Sequence, residues 1–148
     1  MTLVHAEDIN YWKSSSSSAD TWIEKAIREI KAIGGVVLAA ASVQADNRNG
    51  FMIRFSLNKD DFVIEIAALP CRKPTEDNQR AARVQAATIL YHDVKHKCVM
   101  AKIKGARQAF AEHWLLPSGE TVARAMEQGA GYLASNMPML LGAGTITK

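Results

Sequence analysis

The stretch from residue 77 to residue 105 is the longest periodic segment of the chain, and it contains no proline. Its apolar residues recur at intervals of three and four, which places them on one stripe of an α-helix. The stripe consists of Val84, Ala87, Leu90, Tyr91, Val94, Cys98 and Ala101. Gly105 is suited to end this helix. At about 1.5 Å per residue the helix is about 40 Å long, so we expect the rest of the chain to fold onto it.

The composition indicates one domain that spans residues 1–148. A chain of this length has enough bulk for a single sizeable core, and 48% of its residues are hydrophobic while 22% are charged. No apolar run approaches the roughly 20 residues that a membrane span requires. Acidic residues lie near the start, where an export signal would be basic and then apolar. We therefore predict a cytoplasmic protein that does not enter a membrane.

Two features precede the first strand. Five consecutive serines, residues 14–18, cannot contribute to a core, which predicts that residues 1–18 are a mobile arm. Thr21 followed by Glu24 has the spacing of a capping box. We therefore predict a helix over residues 21–33 that ends at the following glycine pair.

Three strand-like runs follow. Residues 36–43 are nearly continuously apolar, which predicts a strand covered on both faces or an interior strand. Residues 51–57 and 62–67 alternate between apolar and polar positions, as half-buried strands do. Asp60 and Asp61 fall in the connection between them and are assigned to a tight turn. The simplest arrangement is a three-stranded antiparallel meander.

These elements predict an α+β fold. The meander packs against the N-terminal helix and the long central helix, and a short helical C-terminal segment completes the core. Thr75 or Asp77 is expected to cap the long helix. Glycine and proline are frequent near the C-terminus, so residues 129–148 are predicted to be an irregular tail.

Positive charge is concentrated around the long helix. The net charge is only +3, but residues 72–107 carry nine basic residues against three acidic ones. Such a segment can bind phosphate backbones, although a solvated helix surface has the same composition. The candidate nucleic-acid-binding residues are Arg72, Lys73, Arg80 and Arg83. The order helix, three strands, helix is that of double-stranded RNA-binding domains, but their glycine-rich turn and lysine pair are missing.

A histidine pair gives an alternative, enzymatic hypothesis. His92 and His96 are one helical turn apart, a spacing that allows both imidazoles to bind one metal ion in a metal-dependent hydrolase. Asp93 is shorter than the glutamate of the zinc-protease pattern, and His113 completes a site only if the chain folds back. No glycine-rich phosphate loop is present, so we expect no nucleotide cofactor.

The two cysteines are expected to be reduced. Cys98 lies on the apolar stripe, where burial should raise the pKa of its thiol and make it inert. Cys71 lies beside Arg72 and Lys73, which should favour its thiolate, but no histidine is placed near it by the sequence.

The segment 116–122, LPSGETV, followed by MPMLL at residues 137–141, resembles the C-terminal part of small uncharacterised proteins carried by phages and other mobile elements. Those proteins typically read LPDGRTVGE and then MPPLLP. The resemblance covers residues 77–141, and Ser118 and Ala123 replace the usual aspartate and glycine. The resemblance implies an origin in a phage or other mobile element, and it implies no catalytic or binding activity.

The sequence therefore predicts a non-catalytic accessory protein that contacts nucleic acid through a basic helix and loop. The alternatives are the hydrolase at His92 and His96, and a self-assembling structural protein. Val99, Met100 and Ile103 extend the apolar surface of the long helix beyond the reach of a small sheet. We therefore expect a homodimer whose interface is formed by the C-terminal third of the chain.

Overall fold

The structure is a computed structural model that describes residues 3–45 and 48–128. It confirms the α+β class. The described elements are α1 (Ala19–Ala32), β1 (Val36–Ala45), β2 (Arg48–Leu57), β3 (Asp60–Ala67), α2 (Glu76–Lys104), α3 (Ala106–Ala109) and α4 (Val122–Gln128), with 3-10 helices at Ala6–Asp8 and Ala111–His113. The predicted tail, residues 129–148, lies outside the described residues. Within residues 3–45 and 48–128, no helix is long and apolar enough to cross a membrane.

The sheet is the predicted antiparallel meander, with strand order β1-β2-β3. The register places Phe55 opposite Val37 on one side and Phe62 on the other. The predicted alternation of β2 is confirmed, because its inward residues Phe51, Ile53, Phe55 and Leu57 are all buried. Phe55 stacks on Phe62 with ring centroids 5.3 Å apart and meets the edge of Phe110 at 5.2 Å. The centre of the core is therefore aromatic.

The prediction for β1 was wrong. Among residues 3–45 and 48–128, this strand is neither interior nor covered on both faces, because it lies at the edge of the sheet and pairs with β2 alone. Val36 and Leu38 are 60% and 52% exposed, and residues 39–42 are exposed as well. A run of small apolar residues has the same sequence pattern whether it is buried or not, so the pattern alone overestimated its burial.

The turn between β2 and β3 is also tighter than predicted. Asn58 and Lys59 both have positive φ, 54° and 72°, as the two central residues of a type I′ hairpin turn require. Asp60 is consequently the first residue of β3 and does not serve the turn. Its carboxylate accepts hydrogen bonds from Arg107 Nε at 2.7 Å and Nη2 at 3.1 Å. Asp61 instead accepts from Arg54 Nη2 at 3.2 Å.

The boundaries of α2 follow the predicted capping chemistry. The Thr75 hydroxyl accepts a hydrogen bond from the main-chain N–H of Asn78 at 3.1 Å, which satisfies one of the free amides of the first turn. Gly105, with φ +95°, ends the helix and donates its N–H to the Ala101 carbonyl at 2.9 Å. Both ends therefore confirm the sequence prediction.

The N-cap of α1 lies three residues earlier than predicted, and the helix begins at Ala19. Ser18, not Thr21, is the N-cap, because its hydroxyl accepts a hydrogen bond from the main-chain N–H of Thr21. The side chain of Thr21 lies inside the first turn, 3.0 Å from Ser18 Oγ. α1 packs beside α2 with Trp22 against Tyr91. The last serine of the run is therefore part of the helix boundary.

The N-terminal stretch is attached to α2 by one buried side chain. Gln85 Nε2 donates hydrogen bonds to the carbonyls of Ala6, Ile9 and Asn10 at 2.8, 3.1 and 3.1 Å. Ala6 is fully buried in the core. Residues 1–18 were predicted to be a mobile arm, and mobility stays a prediction. In the structure, however, residues 6–10 are packed.

The chain after α3 returns to the free edge of β3. Leu115 donates its N–H to the Asp61 carbonyl at 2.9 Å, and Trp114 forms an isolated bridge with Phe62. The motif at residues 116–122 is a tight turn, in which Gly119 has φ +89° and donates its N–H to the Leu116 carbonyl. The part of the motif at residues 137–141 lies outside the described residues.

Candidate nucleic-acid interface

Arg72 and Lys73 lie in the loop before α2, where acidic residues hold them. The Glu7 carboxylate accepts hydrogen bonds from the main-chain N–H groups of Arg72, at 3.0 and 3.1 Å, and of Lys73, at 3.4 Å. Desolvation opposes ionisation of Glu7, but these amide bonds lower its pKa. The guanidinium of Arg72 forms a bidentate ion pair with Asp8. Arg72 is therefore not a free cation.

Arg83 points toward the sheet. Its guanidinium carbon is 4.7 Å from the ring centroid of Phe51, and Nη2 donates a hydrogen bond to Ser42 Oγ at 2.8 Å. The side chain is half-buried. It therefore covers an aromatic ring of the core and reaches the edge strand β1, which gives it a structural role in addition to its charge.

Arg80 lies at a groove of about 380 Å³ between the serine run and the first turns of α2. We call this the serine groove, and it is lined by Lys13, residues 15–18, Asp77, Arg80, Ala81 and Val84. Lys13 Nζ is 3.5 Å from an Asp77 carboxylate oxygen. In the part of the chain that the structure describes, Arg80 forms no ion pair. Arg80 is exposed, so it is accessible to an anionic ligand.

The four predicted binding residues therefore occupy three different settings. Arg72 and Lys73 are in the acid-bound loop, Arg83 is against the sheet, and Arg80 is at the serine groove. Sequence analysis did not find Lys13 or the serines as lining residues. The serine run was visible in the sequence, but its position opposite α2 depends on the packing of the N-terminal stretch.

An aromatic cluster, formed by Tyr11, Trp22, Tyr91 and His92, lies next to the serine groove. Tyr11 stacks on His92 with ring centroids 4.9 Å apart and an interplanar angle of 11°. Trp22 is tilted against Tyr91 at 5.4 Å. Trp22 Nε1 donates a hydrogen bond to Ser15 Oγ at 3.0 Å, which joins the cluster to the groove.

Two lysines border the aromatic cluster. Lys25 Nζ is 4.4 Å from the ring centroid of Trp22, and Lys95 Nζ is 5.9 Å from that of Tyr91. Tyr11 has φ +72° and is exposed. A backbone held in this region by a non-glycine residue costs about 1–3 kcal/mol and often marks a functional segment. The arrangement combines the exposed ring of Tyr11 and the half-buried rings of Trp22 and Tyr91 with positive charge.

The histidines proposed as metal ligands are not brought together with a third ligand. His92 stacks on Tyr11, and His113 does fold back onto α2, but its Nε2 is 2.8 Å from the ammonium of Lys97. Across residues 3–45 and 48–128, no three histidine, cysteine or acidic side chains are placed so that they could hold a metal ion.

Lys97 is the centre of a half-buried polar cluster. Its ammonium donates to Asp93 at 2.8 Å and to Glu112 at 2.5 Å. Burial opposes its charge, but these two bonds raise its pKa. Burial lowers the pKa of His113, and the neighbouring Lys97 lowers it further. The imidazole is therefore neutral at pH 7, and the cluster joins α2 to the segment after α3.

Neither cysteine has the lowered thiol pKa of a catalytic nucleophile. Cys98 is buried, and burial raises the pKa of its thiol to about 11, as the sequence predicted. The prediction for Cys71 was wrong. Burial and the carboxylate of Glu7 raise the pKa of this thiol despite the neighbouring cations, and its Sγ donates a hydrogen bond to the Asn78 carbonyl. Neither thiol is activated.

Comparisons with protein-family models, with curated proteins and with solved structures give no match to this chain. The class of this protein is therefore described by its fold and its geometry only. It is an α+β protein in which the serine run and the start of α2 form a groove with basic residues, adjoining an aromatic cluster.

Proposed function

We propose that this chain is a non-catalytic accessory protein that contacts single-stranded nucleic acid, in the cytoplasm of the cell that carries it. The observation that carries the proposal is the junction of the serine groove with the aromatic cluster through the Trp22–Ser15 hydrogen bond. Proteins that bind single strands combine a basic groove along the backbone with aromatic rings on which bases stack. The two halves of that arrangement adjoin here.

The electrostatics favour weak binding with few phosphate contacts. Around the start of α2 the cations Lys13, Arg72, Lys73, Arg80 and Arg83 are close to balanced by Glu7, Asp8, Glu76 and Asp77. Among the described residues, Arg80 and Lys73 are the cations of this set whose side chains form neither an ion pair nor an aromatic contact. Two to three phosphate contacts give a salt slope of about −2 on logarithmic axes for a single strand.

A duplex is the less suitable ligand. A-form and B-form duplexes keep their bases stacked inside, so aromatic rings on the protein surface cannot reach the base faces. Tyr11 and Trp22 offer rings that an unpaired base can stack on. We therefore expect single strands to bind more tightly than duplexes of the same length.

A phage or other mobile element is the proposed origin. Support comes from the resemblance of residues 116–122 and 137–141 to the C-terminal pattern of small proteins from such elements. The structure gives the first half of that pattern a physical reason, because Gly119 adopts a positive φ in the turn that follows Leu116. The first half of the pattern thus corresponds to a turn.

The first prediction is that a labelled 12-nucleotide single strand binds at micromolar protein concentration in 50 mM salt and more weakly in 200 mM salt. Arg80→Ala should remove one phosphate contact and reduce the size of the salt slope by about 0.7. Tyr11→Ala should weaken binding by about 1–3 kcal/mol without changing the slope. Fluorescence anisotropy measures both quantities.

The matched control is Lys102→Ala, which removes an exposed cation at the far end of α2. It should leave affinity and slope at the wild-type values. Equal losses in Arg80→Ala and Lys102→Ala would show that the whole helix acts as a diffuse charge. No binding of any strand in 50 mM salt would remove the proposed function.

A further inference from the structure

The outer side of the edge strand β1 has no strand beside it in the described part of the chain. Within the described residues it pairs with β2 alone, and no other main-chain hydrogen bond involves β1. Every second residue of an edge strand points its N–H and C=O groups away from the sheet. The exposed side chains of Val36 and Leu38 add an apolar surface to these free polar groups.

This edge has little of the protection that edge strands of monomers usually carry. Charged side chains, proline and short length are the common means of preventing edge-to-edge pairing. β1 is ten residues long and has neither a charged residue nor a proline between Val36 and Ala45. One irregularity in its pairing lies near its start, between Val37 and Ala39. The following residues form a regular, unprotected edge.

We propose that β1 pairs antiparallel with β1 of a second copy of this chain, about a two-fold axis, so that two meanders form one six-stranded sheet. A two-fold axis makes each residue of β1 meet another residue of the same strand. Because β1 carries no charge, no register brings like charges together. The middle of the strand, residues 39–42, is Ala-Ala-Ala-Ser, which lets the two strands approach without a side-chain clash.

The other exposed apolar residues are less suited to this role. Val99 and Ile103 are 49% and 71% exposed, but they lie in the last turns of α2 together with Lys102 and Lys104. An interface there would bring ammonium groups of both copies close to each other. A second strand can also replace the water on the outward main-chain groups of β1, which a helix face cannot do.

The size of the edge sets the expected affinity. A ten-residue ladder is about 33 Å long, and pairing along such a line buries less than the roughly 800 Å² per partner of a standard stable interface. We therefore expect a dimer that dissociates in the micromolar range. Its mass must be measured over a range of concentrations.

The second prediction is that the full chain has twice the mass of 16.2 kDa at about 300 µM and approaches 16.2 kDa at about 3 µM. Ala41→Lys should be monomeric at both concentrations, because it places two lysines close to the two-fold axis. Ala41 is exposed in the chain itself, so the variant should keep its fold, as circular dichroism checks. Sedimentation velocity measures the mass.

Ile103→Lys and Met126→Lys are matched controls, since each adds one lysine at an exposed apolar residue elsewhere. Both should dimerise like the wild type. Loss of the dimer in Met126→Lys but not in Ala41→Lys would overturn the proposal in favour of the C-terminal third. A wild-type mass of 16.2 kDa at every concentration would also overturn it.

Hydrogen exchange of the wild type tests the same inference without a substitution. Because we expect the dimer to dissociate in the micromolar range, the amides of residues 38–44 should become better protected as the protein concentration rises from about 3 to about 300 µM. Protection that is already complete at the low concentration would assign the edge to another segment of the same chain. Protection that stays absent at the high concentration would exclude pairing.

Discussion

Gln85 is a buried polar side chain that joins two distant parts of the chain. Its side-chain amide nitrogen is the donor to three main-chain carbonyls of residues 6–10. A buried carbonyl that loses its donor costs about 1–3 kcal/mol, whereas a satisfied one contributes less than that. The energetic importance of Gln85 therefore lies in what its removal would leave unpaired.

The third prediction concerns Gln85→Leu, which keeps the volume of the side chain and removes its donors. We expect the free energy of unfolding to fall by about 3 kcal/mol, because the carbonyls of Ile9 and Asn10 lose this donor and that of Ala6 keeps only the N–H of Ile9. Urea denaturation measures this change. Gln79→Leu, at an exposed position of the same helix, should change stability by about 0.5 kcal/mol or less. Similar losses in the two variants would contradict the assigned role.

The fourth prediction follows from the lowered pKa of His113. Between its native pKa and about 6.5, the unfolded chain binds more protons than the native chain, so stability rises with pH in this window. Above about pH 6.5 the imidazole is neutral in both states and does not reduce the free energy of unfolding. As the pH falls from 6.5 toward the native pKa, the free energy of unfolding decreases. The groups that face the imidazole are Lys97, Glu112 and Asp93.

Urea denaturation at pH 7.5, 6.5 and 5.5 measures this dependence. His113→Gln should lose stability less steeply on acidification than the wild type, since glutamine does not titrate. His96→Gln, at an exposed histidine of α2, should keep the wild-type slope. Identical slopes for the wild type and His113→Gln would show that His113 does not cause the effect.

Single residues were the hardest level to predict. Thr75 and Gly105 were found because caps have a local chemical signature. The hydrogen-bond partners of Gln85, His113 and Asp60 were not predicted, because they come close to these residues only in the folded chain. The Gln85 partners are main-chain carbonyls, which every residue possesses, so no sequence pattern distinguishes them.

At the scale of elements, strands β2 and β3 approach each other closely at Gly50. Gly50 in β2 lies opposite Ala67 in β3. A Cβ atom at residue 50 would be 2.2 Å from the Ile66 carbonyl oxygen and 3.0 Å from Ala67 Cα. Both atoms belong to the main chain, so the strand itself would have to shift.

The fifth prediction compares two glycine substitutions. Gly50→Ala should lower the free energy of unfolding by about 2–3 kcal/mol, because overpacking against a strand cannot relax by a rotamer change. Gly34→Ala, where φ is +92° and no atom lies within 4 Å of the new methyl group, should cost about 1 kcal/mol for backbone strain alone. Urea denaturation gives both values. The reverse order would contradict the close approach.

The elements also differ in how well their patterns predicted them. α2, β2 and β3 have one buried side, and that asymmetry appears in the sequence as a period. β1 has no period, and its apolar residues predicted burial that the structure does not show. Its exposure depends on where the helices end, which is a property of the packing and not of the strand.

At the scale of the whole molecule, the α+β class and the order of the sheet were predictable because each element has a local signal and the connections are short. The candidate site was only partly predictable. Arg80 was found by charge, but Lys13 and the aromatic cluster come from segments far apart in the sequence. Their approach is set by the docking of residues 6–10 on Gln85 and of α1 on α2.

Because residues 6–10 bind to Gln85, they can dock only after the ribosome has synthesised residue 85. The three hydrogen bonds join residues that are 79, 76 and 75 positions apart. At about 5–20 residues per second, a ribosome needs about 4–16 s to synthesise the intervening chain. Residues 6–10 therefore remain undocked until Gln85 has been synthesised. Any nascent chain that stops before residue 85 leaves this segment open to chaperones and proteases.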